Sequence, residues 1–315
     1  MNFLKYLFCA LLLLLLPIGW SCTNEFEIED TDYRPVTEIG RHLEKNCSTV
    51  ARIYADTTFV LALGVEQTDL HFQKDDGDVM HIYLTRVDLN RQGVSLEVGM
   101  PYDADVTSNF QRQTLSEMAV FANRPQHRIA ALVNADFWDV SNGDIRGPIH
   151  RNGKILKDTF IFSERLPQQA LSFFAVTNDG QALIRDAADY TALAPTLKEA
   201  TGSGVIVLRN GLLSGLNYAG TDPRTVIGYT PDNIVYMLVV DGRQQLWSYY
   251  GMTYEELGRI MQSLGCSWAV NFDGGGSTQL VIRHPFADFF EVHNRPSDGS
   301  ERAVVNAWMA VVDEP

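Results

Sequence analysis

The first third of the chain is built from short runs in which apolar and polar residues alternate. Thr58–Leu63, Met80–Leu89 and Val94–Val98 each follow a period of two. That period predicts antiparallel strands with one face buried. Thr114-Leu115-Ser116-Glu117 carries the pattern of a capping box and predicts a short helix to about Ala122. After Arg128 the texture changes. Apolar runs become longer and end at polar, Gly-rich turns: Ile129–Asn134, Val205–Leu208, Thr225–Tyr229, Ile234–Val240, Trp268–Phe272 and Val304–Val312. Asn152-Gly153, Asn178-Asp179-Gly180 and Pro231-Asp232-Asn233 lie between apolar runs and predict hairpin turns, and Asn210-Gly211 closes a further run. A second capping box, Thr253-Tyr254-Glu255-Glu256, opens a helix in which Leu257, Ile260, Met261 and Leu264 share one face and Gly265 stands at the C′ position. These elements predict an α+β protein with a mixed β-sheet and flanking helices. The change of texture places a boundary near residue 110, between a β-rich N-terminal region (37–110) and a larger second region (111–315).

The N-terminus has a different pattern. Lys5 gives a positive start, and Tyr6 to Ile18 is an apolar run too short for a bilayer span but suited to the core of a signal peptide (1–21). The run ends in Gly19-Trp20-Ser21-Cys22, which resembles a bacterial lipoprotein signal with Cys22 as the lipidated residue. The stretch 22–36 contains Glu25, Glu27, Glu29, Asp30 and Asp32 and reads as a solvated acidic tether. The expected location is the cell envelope, anchored by acyl chains. Of four cysteines, Cys9 leaves with the signal and Cys22 is acylated. Cys47 and Cys266 remain, and nothing in their spacing requires them to pair.

Composition excludes several classes. The chain has 315 residues, 45% of them hydrophobic and 20% charged, which is ordinary globular usage. A formal charge of −14 argues against nucleic acid as a partner, because phosphate backbones require a basic face. No CxxC, HExxH, GxSxG or GxGxxG opening a helix is present. Asp139 to Gly147 departs from the order of a calcium loop, so a divalent metal there is the lesser reading and no cofactor is required.

One constellation can carry chemistry. The strand Ile234–Val240, the helix from Tyr254 and the strand Trp268–Phe272 form a strand–helix–strand unit, which makes the two strands parallel and near neighbours. Each ends in Asp-Gly, at Asp241-Gly242 and Asp273-Gly274. Both carboxylates are therefore expected at one sheet edge, where open α/β sheets bind ligands. A single Asp-Gly is a turn signal. Two at paired strand ends, followed by Gly275, Gly276, Ser277 and Thr278, favour a site. Glycines let backbone N–H groups approach an anion. Arg146, Arg224, Arg243 and Arg302 each sit beside a turn near a strand end, and the planar guanidinium fork suits phosphate. Together these residues predict an anionic sugar or phosphodiester as substrate.

Seven segments occur in a characteristic order: Asn134-Ala-Asp-Phe-Trp138, Gly204-Val-Ile-Val207, Asp222-Pro-Arg-Thr225, Val239-Val-Asp-Gly-Arg243, Gly251-Met-Thr253, Asn271-Phe-Asp-Gly-Gly-Gly-Ser-Thr278 and Asn294-Arg-Pro-Ser297 with Glu301-Arg-Ala-Val-Val-Asn306. The series resembles the phosphodiester glycosidase family over roughly residues 128–313. One departure is Asn134-Ala135-Asp136-Phe137-Trp138, where many members have a Gly-Gly-Phe-Phe-like turn. The resemblance implies cleavage between a sugar anomeric carbon and phosphate; the animal substrate is GlcNAc-1-phospho-6-mannose. Asp241 or Asp273 then serves as nucleophile or general base. Asp136 or Glu301 positions a water or a sugar hydroxyl. The four arginines, Asn271, Ser277, Thr278 and the N–H groups of Gly274, Gly275 and Gly276 hold the phosphate. Trp138, Trp247 and Tyr250 are candidates for stacking on a sugar. Two rival readings remain at this level: a surface glycan-binding lipoprotein without turnover, and a metal-dependent phosphodiesterase cutting the P–O bond.

Overall fold

Hairpin signals and capping boxes fall where the chain turns. The computed structural model of the protein describes residues 33–214, 220–244 and 249–313. Its first elements are α1 (Glu38–Asn46), β1 (Val50–Ala62), β2 (Val65–Lys74), β3 (Val79–Asp88), β4 (Val94–Gly99), α2 (Leu115–Ala122) and β5 (Arg128–Asn134). Next come β6 (Ile149–Arg151), β7 (Lys154–Lys157), β8 (Ser172–Thr177), β9 (Ala182–Asp186), α3 (Tyr190–Leu193), β10 (Leu197–Ser203), β11 (Ile206–Arg209) and β12 (Leu212–Leu213). The last are β13 (Arg224–Tyr229), β14 (Ile234–Val240), α4 (Tyr254–Ser263), β15 (Trp268–Asn271), β16 (Leu280–Arg283), β17 (Phe290–Val292) and β18 (Ala307–Val312). The signal segment, Cys22, most of the acidic tether and Trp247 lie outside the described residues.

Three sheets form. The largest has the order β1-β2-β3-β14-β13-β15-β11-β12, and the two five-stranded sheets run β7-β6-β10-β8-β9 and β17-β16-β5-β18-β4. Every ladder among the described strands is antiparallel. The protein is thus predominantly β, and the expected mixed sheet is corrected to antiparallel sheets. The cause is one strand. The α4 crossover does make β14 and β15 run the same way, but β13, the hairpin partner of β14, lies between them and pairs antiparallel with both. The carboxyl ends of β14 and β15 still share one edge, one strand apart.

The boundary expected near residue 110 does not divide the fold, since Tyr33–Pro315 form one unit. β3 pairs with β14 from Ile82↔Val240 to Ile234↔Asp88, and β4 pairs with β18. The first strands therefore extend sheets whose centres come from the second half of the chain. The start of the unit takes in the last tether residues, because Tyr33 and Val36 donate to the Asp56 carboxylate.

Both faces of the large sheet are covered, which explains why β14 is apolar at nearly every position. Val235, Met237 and Val239 face the core shared with the two smaller sheets. Leu238 and Val240 face the core under α1 and α4, with Leu257, Ile260 and Met261. α4 begins with a complete capping box between Thr253 and Glu256, and Gly265 ends it at φ +79°. Cys47 and Cys266 are buried free thiols in this second core.

Candidate active site

The turn after β15 carries the chain from the large sheet into β16 of a neighbouring sheet, so Asp273 and the glycines sit where two sheets meet. Three loops converge there: Gly220–Arg224 before β13, Asp241–Arg243 after β14, and Asp298–Arg302.

The glycines matter through what their missing side chains make room for. A Cβ on Gly276 would lie 2.0 Å from Arg302 Nη2, one on Gly275 2.9 Å from Arg243 Nη1, and one on Gly274 3.9 Å from Arg224 Nη1. The three guanidinium groups thus lie against three consecutive glycines. The expectation that the glycine N–H groups themselves receive the anion is corrected for Gly274 and Gly275. Gly274 donates to Asp273 Oδ1 at 3.0 Å and Gly275 to the Pro223 carbonyl at 3.0 Å. Two of the three glycine amides are thus spent on the turn itself, and the donors left at the site are the arginines and the Gly276 N–H.

Each arginine is oriented by a neighbour. Arg224 is buried, stacks on Tyr254 at 4.4 Å from the ring centre, and donates to the Gly220 and Met252 carbonyls. Arg243 is about half exposed and bonds Asp222 Oδ1 at 2.9 Å. Arg302 bonds Asp298 at 2.6 Å and reaches Ser277 Oγ at 3.4 Å. Arg146 is held apart from this group: it pairs with Asp139 inside its own loop at 2.9 Å.

The acids divide into distinct environments. Asp273 keeps some contact with solvent. Burial raises its pKa to about 6, against hydrogen bonds from Ser277, Gly274 and Trp138 and the field of Arg302. Asp136 is fully enclosed, with Oδ2 accepting from the Gly147 amide at 2.8 Å and Oδ1 without a partner. Its carboxyl packs against Gly147 and Gly202, where any Cβ would collide with it. Burial lifts its pKa to about 7, and the nearby Asp273 charge adds to the rise. The field of Lys157 opposes that rise more strongly than Asp273 adds to it.

Asp241 is different. It has no exposed surface, and its oxygens accept from Asn294 (3.2 Å), the Arg295 amide (2.9 Å) and Tyr83 (3.1 Å). Burial raises its pKa to about 6. A carboxylate so enclosed ties β14 to the 294–295 segment and cannot reach a reacting atom without losing those bonds. Glu301 also falls elsewhere than expected: Oε1 accepts from the Ser116 amide at 3.0 Å, capping α2. Asn271 and Thr278 are buried side chains of the underlying frame, and Ser277 is buried against Asp273 and Arg302. Of the aromatics, Trp138 bonds Asp273, whereas Tyr250 is exposed at 45%.

Sequence reasoning missed the shell around Asp241. Tyr83 also meets His81 Nδ1 at 3.1 Å, and His81 stays neutral because burial lowers its pKa to about 4. Asn294 and Arg295 stood in a recognised motif without an assigned role. Tyr83 carried no local signal, since only the β3–β14 ladder brings it to Asp241. Among the described residues no cluster of three or more His, Cys, Asp or Glu is arranged to hold a metal ion.

Comparison with known proteins gives a family and a fold. The family profile described as phosphodiester glycosidase matches residues 127–311. The SPbeta prophage-derived uncharacterized protein YomE of Bacillus subtilis (strain 168) is 28% identical over 211 residues, covering 64% of this chain and 31% of that protein. The chain thus spans about a third of that relative's length. Among solved structures, the catalytic domain of zebrafish N-acetylglucosamine-1-phosphodiester alpha-N-acetylglucosaminidase, auto-inhibited by its pro-peptide, superposes with a TM-score of 0.60 at 17% identity, over 82% of this chain and 88% of that one. A hypothetical protein from Synechocystis gives a TM-score of 0.57 at 14% identity, over 82% and 64%. At these identities the structural likeness is one of fold.

Proposed function

Because the chain belongs to the phosphodiester glycosidase family, we propose that it hydrolyses the bond between a sugar anomeric carbon and phosphate in a sugar-1-phosphodiester, releasing free sugar and a phosphomonoester. The observation that carries this reading is the stacking of Arg224, Arg243 and Arg302 on Gly274–Gly276 directly beside the Asp273–Asp136 pair. Phosphate needs countercharge to leave, and three guanidinium groups supply it. With its charge offset, the phosphomonoester departs without a proton donor. Asp273 acts at the anomeric carbon, as nucleophile or as base toward water. Asp136 lies beside it and holds its own proton up to near neutral pH, because burial disfavours its charged form. Asp241 positions Asn294 and Arg295. No cofactor has a part in these steps. GlcNAc-1-phosphoesters are the first substrates to test.

Hydrolysis in ¹⁸O-water distinguishes the bond that breaks. Free sugar with unlabelled phosphomonoester is expected, since cleavage at the anomeric carbon leaves every original oxygen on phosphorus; label in the phosphate, or sugar 1-phosphate as product, refutes the reading. Asp273→Asn should lower kcat by at least about a hundredfold, the usual scale for a lost catalytic acid–base group. We also propose that Cys22 carries acyl chains and tethers the enzyme in the cell envelope, which metabolic labelling with a palmitate analogue reads directly in Cys22→Ala against the parent chain. No described helix is long and apolar enough to cross a membrane.

A further inference from the structure

Beside the arginine-covered turn lies a cavity of about 750 Å³ lined by Phe110, Gln111, Arg112, Trp138, Asn142 and Arg302, among others. Its size suits a sugar or a disaccharide. Two of its walls belong to the catalytic group. Trp138 hydrogen-bonds Asp273, and Arg302 reaches Ser277 on the glycine turn. The cavity is therefore walled by two residues that contact Asp273 and the glycine turn, whereas Arg224 and Arg243 lie against Gly274 and Gly275.

The lining is unusual in a chain whose formal charge is −14. It holds two guanidinium groups and two side-chain amides, and among the described residues no carboxylate. Arg302 is paired at one edge with Asp298. Arg112 has no acidic partner among the described residues. Its guanidinium lies over the Trp138 ring, 5.0 Å from the centre, which holds it at the cavity wall by a cation–π contact. A guanidinium oriented this way and lacking a carboxylate retains its bidentate fork for an incoming anion.

We propose that this cavity receives the sugar of the phosphodiester and that Arg112 binds a second anionic group on that sugar, a carboxylate or a phosphate remote from the anomeric carbon. The proposal rests on the reading that Asp273 acts at that carbon. It makes Arg112 a specificity-determining residue and the natural substrate an acidic or multiply phosphorylated sugar phosphodiester.

Calorimetric titration with three probes tests it: hexose 1-phosphate, hexose 1,6-bisphosphate and hexuronate 1-phosphate. One of the two doubly anionic probes should bind the parent protein at least about tenfold more tightly than hexose 1-phosphate, the scale of one charge-assisted hydrogen-bonded pair. Preference for the uronate identifies a carboxylate, and preference for the bisphosphate a phosphate. In Arg112→Met that preference should vanish while hexose 1-phosphate affinity changes by less than about twofold. Arg112→Lys, which keeps the charge, should retain part of it. Equal binding of all three probes to the parent protein overturns the proposal, as does a uniform loss across the probes in Arg112→Met. If no sugar phosphodiester is turned over but the Arg112-dependent preference persists, the catalytic reading fails and the anion site stands. Turnover without any preference fails the anion site alone.

Discussion

Gly276→Ala is the sharpest test of the arrangement at the turn. The backbone of Gly276 is not in the left-handed region, so alanine brings no conformational strain of its own. The new methyl would lie 2.0 Å from Arg302 Nη2, 2.4 Å from Cζ and 2.5 Å from Asp298 Oδ1. These are the ends of flexible, partly exposed side chains, so the fold should tolerate the change with a loss of about 1 kcal/mol or less. The guanidinium must nevertheless leave the turn. A charged hydrogen bond to phosphate contributes about 1.5–3 kcal/mol. At about 1.4 kcal/mol per tenfold, kcat/KM should fall roughly 10- to 150-fold. The assay is steady-state hydrolysis of a GlcNAc-1-phosphoester, with thermal melting as the control for folding. Arg302→Ala and the double variant complete a cycle. If the methyl acts by displacing Arg302, the double variant is no worse than Arg302→Ala alone. Unchanged kcat/KM in Gly276→Ala, or losses that simply add in the double variant, would overturn this account of the turn.

Two further outcomes follow from the acids. Asp136 rises from 3.8 to about 7 in the folded protein, so between pH 4 and 7 the unfolded chain releases a proton that the native state keeps. The stability that this group contributes is therefore fully present below pH 4 and is lost as pH rises through 7, about a few kcal/mol in all. Urea denaturation at pH 4.5 and pH 8 should show a smaller difference in Asp136→Asn than in the parent; an equal or larger difference contradicts the assignment. Glu301→Ala removes the acceptor for the Ser116 amide at the start of α2 and should cost about 0.5–2 kcal/mol in denaturant melts, with kcat/KM within about twofold of the parent. A large kinetic loss without loss of stability would return Glu301 to the reaction.

Many local elements and the identity of the chemical groups were legible along the chain, although α1 and β2 were not. Turn residues such as Asn152-Gly153 and Asn210-Gly211 take positive φ as their types demand, and the Thr253 capping box starts a helix within one residue of its expected span. These signals are legible because each depends on neighbours a few positions away. The crossover through α4 also fixed the relative direction of β14 and β15, and with it the shared edge of Asp241 and Asp273. What it could not fix was occupancy of the gap between them. That gap is filled by β13, and the outer edge of β14 by β3, through ladders spanning many residues of sequence. Those ladders folded the supposed N-terminal region into the same sheets and placed Tyr83 on Asp241.

Burial was likewise decided only in three dimensions. Asp136, Asp241 and Asp273 look equivalent as letters. The enclosing atoms gave Asp241 three donors and no opening, left Asp136 with an orphaned oxygen, and kept Asp273 in contact with solvent. The desolvation and hydrogen bonding that separate a structural carboxylate from a reactive one are sums over groups distant in sequence. The glycine triplet shows the same division: its composition announced a close approach, and packing alone determined that arginine side chains are what approach it.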